Sequence, residues 1–212
     1  MTKFLPIFPL SIVVCPGEQL SLHIFEARYK QLIKECFQQK KLFAIPTVIE
    51  NELCDYGCTV QIEEIVNETE TGEMDIKTRG VDVVRILEVI NEIPEKLYSG
   101  AIVSYPENQL QATKNQMPAI LTSVRELHKL LEITKNYSVP DTEITSYDVA
   151  HHVGFSLQEE YEVLILMDEL QRQEYLRRHL VKAISMLQGM DLLKEKIKLN
   201  GHFKNLSGFN WK

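Results

Sequence analysis

The sequence predicts an α+β fold: an amino-terminal antiparallel β pseudo-barrel with one inserted helix, followed by a carboxy-terminal α-helical bundle. Before about residue 110 the apolar residues alternate with a period of two, and after it they recur at helical spacing. A single helical stripe interrupts the first half. The expected division is a β subdomain over residues 1–110, a helical bundle subdomain over 111–200 and an aromatic tail over 201–212.

The β subdomain is predicted from short alternating segments that each end in turn residues. These segments are residues 43–49, 59–66, 74–78, 81–90 and 97–105. Strands at this spacing indicate a closed or half-closed antiparallel barrel, because closure removes exposed strand edges. The polar residues 67–73 predict a hairpin turn, and Gly80 predicts a break between two strands.

One amphipathic helix is predicted inside the β subdomain. Its apolar stripe consists of Phe25, Tyr29, Leu32, Ile33, Cys36 and Phe37. Ahead of this helix, Pro6 and Pro9 lack the N–H that a central strand needs, so residues 5–14 are expected at an edge or a bulge. Pro16 and Gly17 then predict a turn.

The helical subdomain is predicted from capping residues and from apolar spacing. Pro118 fits the first turn of a helix that reaches about residue 134. Ser156 with Glu159 has the spacing of a capping box, and Asp168 repeats the signal at the start of the last helix. The residues expected to face inward are Leu121, Val124, His128 and Leu131 in the first helix and Leu176, Leu180, Ile184 and Leu187 in the last.

Charge disfavours nucleic acid as a partner. The formal net charge is −7, whereas proteins that bind phosphates of nucleic acid usually carry a basic stripe. The densest basic cluster, residues 172–182, alternates with acidic and apolar residues. It is therefore expected to be the solvated face of a helix.

Neither a secretory signal nor a membrane-spanning segment is expected. The amino terminus lacks an apolar core segment, and the longest apolar run, residues 163–167, is too short to cross a bilayer. The sequence therefore predicts a cytoplasmic protein without membrane contact, in which thiols stay reduced. The cysteines expected as free and mostly buried thiols are Cys15, Cys36, Cys54 and Cys58.

Motifs that usually carry chemistry are missing from the sequence. It has no phosphate-binding loop, no dinucleotide-binding glycine motif, no zinc-protease helix motif and no nucleophile elbow. Catalytic residues, cofactors and metals are therefore not expected. One alternative joins Cys54 and Cys58 with His151 or His152 in a metal site. The favoured interpretation is that one of these histidines faces the core and bonds a carbonyl.

The closing segment carries three aromatic residues among glycines and asparagines. Phe203, Phe209 and Trp211 are candidate anchors for a partner. The alternative, which is favoured, is that this tail folds back onto its own domain, because exposed aromatic tails promote aggregation.

Three segments near the amino terminus have a distinctive sequence: LPIFPL at 5–10, CPG at 15–17 and LHIFEARY at 22–29. They resemble the opening signature of the Lon protease amino-terminal domain, the LON substrate-binding family. Cys15 and Ala27 depart from that signature, which commonly has phenylalanine and proline there. The matching residues, expected to be structural, are Pro6, Phe8, Pro9, Pro16, Gly17, Phe25, Glu26, Arg28, Tyr29 and Gly80.

The resemblance implies a PUA-like pseudo-barrel and a helical bundle that together recognise unfolded or tagged polypeptide without catalysis. The family's ATPase and Ser-Lys peptidase are not in these 212 residues, so a protease or chaperone acting in trans is the implied partner. One alternative is a PUA-like domain that binds RNA or a small ligand. Another is an unrecognised hydrolase with a nucleophile beside a base. A groove lined by strand and helix residues would favour peptide docking.

Overall fold

The computed structural model describes residues 2–112, 116–135, 137 and 139–203. Over these residues it has an α+β architecture, with one helix inserted among six antiparallel strands and a helical region after them. The strands are β1 (Thr2–Pro6), β2 (Gln19–Ile24), β3 (Phe43–Ile49), β4 (Glu52–Glu68), β5 (Met74–Ile90) and β6 (Gly100–Ser104). The helices are α1 (Ala27–Gln39), α2 (Met117–Leu130), α3 (Ser146–Ala150), α4 (Leu157–Ile165) and α5 (Glu169–Phe203). The predicted fold class is confirmed at this level.

The strands form one sheet in the order β1-β6-β5-β4-β3, and β2 pairs with β5 beside this path. The predicted hairpin turn at 67–73 is confirmed between β4 and β5. The chain directly after β1 reaches the strand at the other end of the order, because Ile7 and Leu10 form parallel bridges with Ala44 and Thr47. β2 lies outside the predicted strands, although its apolar and polar residues alternate.

The predicted break at Gly80 is wrong, because β5 runs through this residue without interruption. A Cβ here would overlap the carbonyl oxygen of Cys15 and lie 3.2 Å from the Sγ of Cys58. The Gly80 N–H donates to the carbonyl of Glu18 (2.9 Å), and the Gly80 carbonyl accepts the N–H of Gly17 (2.9 Å). Gly80 is therefore a point of close approach, where the turn after Cys15 lies against β5.

The inserted helix buries the middle of its predicted stripe but not the ends. Tyr29, Leu32, Ile33 and Cys36 are buried, as predicted. Phe25 is 60% exposed, because it precedes the first helical residue and helical spacing does not apply to it. Phe37 is 41% exposed, because the residue after Cys36 is turned by about 100° around the helix axis.

The predicted helices of the second half are present, with changed bounds. α2 has Pro118 in its first turn, as predicted, but it ends at Leu130, which leaves Leu131 outside the helix and 44% exposed. The predicted capping box of α4 is confirmed. The Ser156 Oγ accepts the N–H of Glu159 (3.3 Å), and the Glu159 carboxylate accepts the N–H of Ser156 (2.8 Å).

α5 is a helix of 35 residues whose two ends have different surroundings. Leu176 and Leu180 are buried against α2, and Ile184 and Leu187 are partly buried in the same cluster, as predicted. Further along, the exposed apolar side chains are Met190, Leu192, Leu193 and Ile197, each between 54% and 62% exposed. Among the described residues, no helix combines the length and the apolar character needed to span a membrane.

The basic cluster at 172–182 is only partly the solvated face that was expected. Arg177 is exposed, but Arg172 is completely buried. Its guanidinium donates to the Glu169 carboxylate (2.8 Å) and to the carbonyl of Gln109 (2.7 Å), and it lies 4.3 Å from the centre of the Tyr147 ring. Arg172 turns inward because α3, α5 and the segment before α2 together satisfy its donors.

Candidate functional site

A groove of about 470 Å³ lies between β1 and the carboxy-terminal part of α1, and it is called the β1 groove here. The apolar and aromatic residues that line it are Phe4, Leu5, Pro6, Cys36, Leu42, Ile93, Tyr98 and Tyr105, and the charged ones are Lys3, Glu35, Lys41 and Lys96. The lining combines residues of a strand and a helix. Peptide-binding grooves commonly have this composition.

β1 offers an open backbone edge beside the groove. Within the described chain, β1 itself pairs only with β6. The N–H of Ile7 donates to the carbonyl of Ser99 (3.0 Å) in the same register, and hydrogen-bonded pairs alternate with non-hydrogen-bonded pairs along an antiparallel ladder. Phe4, three residues earlier, therefore belongs to a non-hydrogen-bonded pair, and its N–H and C=O point away from β6. Such an edge is a template for an added strand.

The β1 groove lies between β1 and β3, the two end strands of the sheet, at a point where they are not bridged. Bridges between the chain after β1 and β3 begin at Ile7 and Ala44. Ahead of that point, β1 and the residues that lead into β3, Lys41 and Leu42, line the groove. The groove is therefore a gap between β1 and the start of β3.

Phe4 is the large apolar side chain of the groove that is most open to solvent, at 44% exposed. Its ring lies against Gly100 of β6, where a Cβ would overlap the ring. The ring can lie there because Gly100 has no side chain. An exposed aromatic residue next to an unpaired strand edge is well suited to anchor a partner.

Glu35 organises the polar part of the groove. Its carboxylate accepts hydrogen bonds from Lys96 Nζ (2.8 Å), Tyr98 Oη (2.6 Å) and Gln31 Nε2 (3.0 Å). Burial alone would raise the pKa of Glu35, but these hydrogen bonds together lower it, so the carboxylate is charged at neutral pH. Burial and the bond to Glu35 raise the pKa of Tyr98.

The charge lining the groove is positive, although the whole chain is acidic. Lys3, Lys41 and Lys96 line it together with the single carboxylate of Glu35. The Lys3 ammonium lies 5.2 Å from the centre of the Tyr105 ring. A polypeptide with acidic residues beside an apolar one complements this lining.

Except for Pro6, the groove residues lie outside the predicted site. Residues 2–6 place two polar residues before three apolar ones, so they lack the alternation that predicts a strand. Only the fold brings this strand beside α1 and the loop that contains Lys96 and Tyr98. The sequence therefore predicts neither this strand nor the residues that lie beside it.

A second cavity, of about 640 Å³, lies where the sheet meets the helical region. Beside it the Nδ1 of His151 lies 2.8 Å from the Glu160 carboxylate, and its Nε2 lies 3.2 Å from the Glu18 carboxylate. The Sγ of Cys15 lies within 4.8 Å of ligand atoms of Glu18 and His151. A thiol beside an imidazole that is oriented by a carboxylate is the arrangement of a thiol hydrolase.

This cluster lacks an activated nucleophile. Cys15 is 1% exposed, and burial raises the pKa of its thiol, with only partial opposition from His151. Hydrogen bonds with Cys15, Glu160 and Glu18 raise the pKa of His151. Both ring nitrogens are therefore protonated at neutral pH, and neither accepts the thiol proton.

The predicted carbonyl bond of the histidine pair is wrong for His151, whose ring bonds carboxylates instead. Among the residues whose side chains are described, the histidines that bond carbonyls are His128, 2.7 Å from the oxygen of His152, and His179, 2.9 Å from that of Val153. The reason is that α2 and α5 pack against the end of α3, where carbonyls are free to accept.

The four cysteines are free thiols, as predicted; Cys15, Cys36 and Cys58 are buried, and Cys54 is partly buried. The alternative that joined Cys54 and Cys58 with a histidine does not match the structure. In the described residues it is Cys15 that lies beside His151. The cause is the close approach at Gly80, which no local spacing in the sequence reveals.

The signature residues of the amino terminus lie in several separate places. Phe8 is buried and stacks on Tyr29 with ring centroids 3.9 Å apart. Pro9 and Arg28 border a cavity of about 250 Å³ together with Tyr29. The Arg28 guanidinium pairs with Glu26 at 2.7 Å on the surface. These contacts pack the segment between β1 and β2 against α1.

The remaining signature residues form turns and strand contacts. Pro16 and Gly17 border the 640 Å³ cavity, and Gly17 has a φ of 86° in the predicted turn. Phe25 stacks on His23 at the surface, with ring centroids 6.1 Å apart. The predicted structural role of the ten signature residues stays a prediction.

The predicted aromatic tail begins at the end of α5. Phe203 is the last residue of α5, and Phe209 and Trp211 lie outside the described residues. Their predicted role as anchors for a partner stays a prediction.

Comparison with solved structures shows the class of fold. The crystal structure of a Lon N-terminal domain protein from Xanthomonas campestris matches with a TM-score of 0.60 and 22% identity, covering 83% of this chain and 98% of that one. The N-terminal domain of Mycobacterium avium complex Lon protease matches with a TM-score of 0.56 and 15% identity, covering 86% and 98%. At these identities the likeness shows the fold alone: that of a Lon amino-terminal domain.

The family follows from the sequence. The family model described as the ATP-dependent protease La (LON) substrate-binding domain matches residues 4–182. The chain therefore belongs to the LON substrate-binding domain family, as its signature predicts. A comparison with curated proteins gave no match.

Proposed function

We propose that this domain binds extended segments of unfolded or tagged polypeptide in the β1 groove and does not cleave them. The observation that carries the proposal is the outward-facing N–H and C=O of Phe4 beside the exposed Phe4 ring. The family adds support, because its description is that of a substrate-binding domain. The Cys15–His151 cluster adds no support for a hydrolase, for the reasons of burial and protonation given above.

In the proposed complex the bound segment adds a strand to β1. Its backbone pairs with Phe4, and an apolar side chain packs on the Phe4 ring and on Leu42 in the groove. Acidic residues on either side lie near Lys3 and Lys41. This mode uses backbone hydrogen bonds, so it accepts many sequences, as a receptor for unfolded chains requires.

The groove also relates to the shape of the sheet. We propose that the bridges from Ile7 and Leu10 to β3 close the sheet into a PUA-like pseudo-barrel and that the β1 groove is the unclosed part of the seam. The division near residue 110 into a β subdomain and a helical bundle subdomain belongs to the same proposal.

We propose that bound polypeptide is passed to, or withheld from, a protease or chaperone that acts in trans. RNA or a small ligand is the competing occupant of a PUA-like domain. The lysines that line the groove are the feature that would attract an anionic ligand, but the net charge of −7 opposes RNA. RNA is therefore included in the test as a competitor.

The test measures fluorescence anisotropy of a labelled protein that has been reduced and carboxymethylated so that it stays unfolded. We expect saturable binding that unlabelled unfolded protein displaces and that an RNA oligonucleotide does not. Phe4→Ala is expected to weaken binding about tenfold or more, because a truncated aromatic anchor costs at least about 1.4 kcal/mol.

The matched control is Phe25→Ala, which removes a phenylalanine that is even more exposed, at 60%, and lies outside the groove. It should leave binding unchanged. Equal losses in the two variants would show that general surface stickiness, and not the groove, holds the polypeptide. Displacement by RNA with a steep salt dependence would favour the competing function.

A further inference from the structure

Three residues of different chemical type meet beside the 640 Å³ cavity, and none of them lines the β1 groove. The ligand atoms of Cys15, Glu18 and His151 all lie within 4.8 Å of one another. Cys15 and Glu18 come from the turn before β2, and His151 ends α3. The cluster therefore joins the sheet to the helical region.

The donor set selects a class of ion. A thiolate, an imidazole and a carboxylate suit zinc, whereas calcium and magnesium require oxygen ligands. A tetrahedral zinc ion holds its ligands about 2.0–2.3 Å away, so the ligands are roughly 3.5 Å from one another. The observed ligand atoms lie at most 4.8 Å from one another, and Glu18 Oε2 is already 3.2 Å from His151 Nε2.

The surroundings hold the ligands in position. Glu160 Oε1 lies 2.8 Å from the Nδ1 of His151 and leaves Nε2 as the ligand atom. A carboxylate behind a ligating histidine is the usual outer partner in zinc sites. The N–H of Cys15 donates to Glu18 Oε2 (2.9 Å), which keeps that carboxylate beside the thiol. Both orienting contacts come from groups that the proposed function does not use.

An ion also has a path to these atoms. Glu18 and His151 line both the 640 Å³ cavity and a neighbouring cavity of about 310 Å³. Their side chains are 27% and 24% exposed, whereas Cys15 is buried behind them. A fourth coordination position would therefore face a cavity and be filled by water.

We infer that Cys15, Glu18 and His151 form a binding site for one zinc ion, with Glu160 as the positioning residue behind His151. Zinc in this site links the turn before β2 to α3 and thereby fixes the helical region on the sheet. Binding releases the protons of the thiol and the imidazole. The two carboxylates that favour a proton on His151 favour a divalent cation in the same place.

The experiment uses the full chain, freed of metal by a chelator. Equilibrium dialysis against zinc chloride with elemental analysis measures stoichiometry, and titration with cobalt(II) detects a thiolate ligand through its near-ultraviolet charge-transfer band. We expect one ion per chain and a cobalt–thiolate band. Both should be lost in Cys15→Ser and kept in Cys54→Ser, which removes the partly buried thiol outside the cluster.

Two further variants separate a metal site from a structural cluster. Glu160→Gln should weaken zinc binding about 10- to 100-fold while the circular dichroism stays unchanged. His151→Gln should abolish binding; if it also unfolds the chain, the Cys15→Ser titration decides. Absence of stoichiometric zinc binding by the unaltered chain would overturn the inference. So would zinc binding that survives in Cys15→Ser with its affinity intact.

Discussion

The β1 groove and the Arg172 network both concentrate polar groups, but they leave them in opposite states. Arg172 is completely buried, and its guanidinium is satisfied by a carboxylate, side-chain oxygens and backbone carbonyls. At the β1 groove, the N–H and C=O of Phe4 point away from β6, the strand with which β1 pairs. The difference teaches that a polar cluster that satisfies itself maintains a fold, whereas an unpaired edge is available to a partner.

The largest expected effect is a loss of stability when the Arg172 network is disrupted. Arg172→Ala should lower the free energy of unfolding by about 3–5 kcal/mol, because it leaves the buried Glu169 carboxylate without its charged partner. Urea denaturation measures the loss. The control is Arg177→Ala, which removes an exposed arginine from an ion pair with Glu174 and should leave the denaturation midpoint unchanged. Equal midpoints for the two variants would contradict the structural role of the network.

The next effect concerns the close approach between the turn after Cys15 and β5. Gly80→Ala should destabilise the fold by about 1–3 kcal/mol, because its Cβ would overlap the carbonyl of Cys15. Gly189→Ala is the matched control, since a Cβ there meets nothing within 4 Å beyond its chain neighbours and its own helix backbone, and alanine favours a helix. Thermal unfolding of both variants checks the pair. An unchanged melting temperature in Gly80→Ala would mean that the turn after Cys15 does not lie against β5 as described.

A smaller effect separates the backbone of the groove from its side chain. Phe4→Pro removes the outward N–H in addition to the ring that Phe4→Ala removes, and proline is tolerated on an edge strand. We expect Phe4→Pro to bind unfolded polypeptide several-fold more weakly than Phe4→Ala, with similar circular dichroism. Identical affinities of the two variants would argue that no strand is added at this edge.

The smallest effect is the pH dependence of the stability that Glu35 contributes. The folded state lowers the pKa of Glu35, so its charged form contributes stability that is present above the ordinary pKa of 4.5 and is lost as the pH falls through the lowered value. The difference in stability between the unaltered chain and Glu35→Gln should therefore shrink below pH 4.5. Denaturation at pH 7 and at pH 3.5 measures it. A difference that grows toward acid would reverse the assigned sign.

The sequence predicts the individual helices and strands better than the contacts between segments that are distant in the chain. The Ser156–Glu159 capping box and the buried face of α1 follow from local spacing, and the structure confirms both. Gly80 and Arg172 are different, because a glycine in a continuous strand and a buried arginine depend on segments about 60 residues away in the chain. The β1 groove has the same property, since residues of β1, of α1 and of the loop with Lys96 and Tyr98 line it from separate parts of the chain.

Hydrogen exchange at the amide of Phe4 tests the central claim most directly, because this N–H faces the groove and not β6. Nuclear magnetic resonance compares its exchange rate in the free chain and in the chain saturated with unfolded polypeptide, with Leu5, which pairs within the sheet, as the internal reference. We expect the Phe4 amide to exchange rapidly when free and at least tenfold more slowly in the complex. Saturation with polypeptide while the Phe4 amide keeps its free rate would contradict the account.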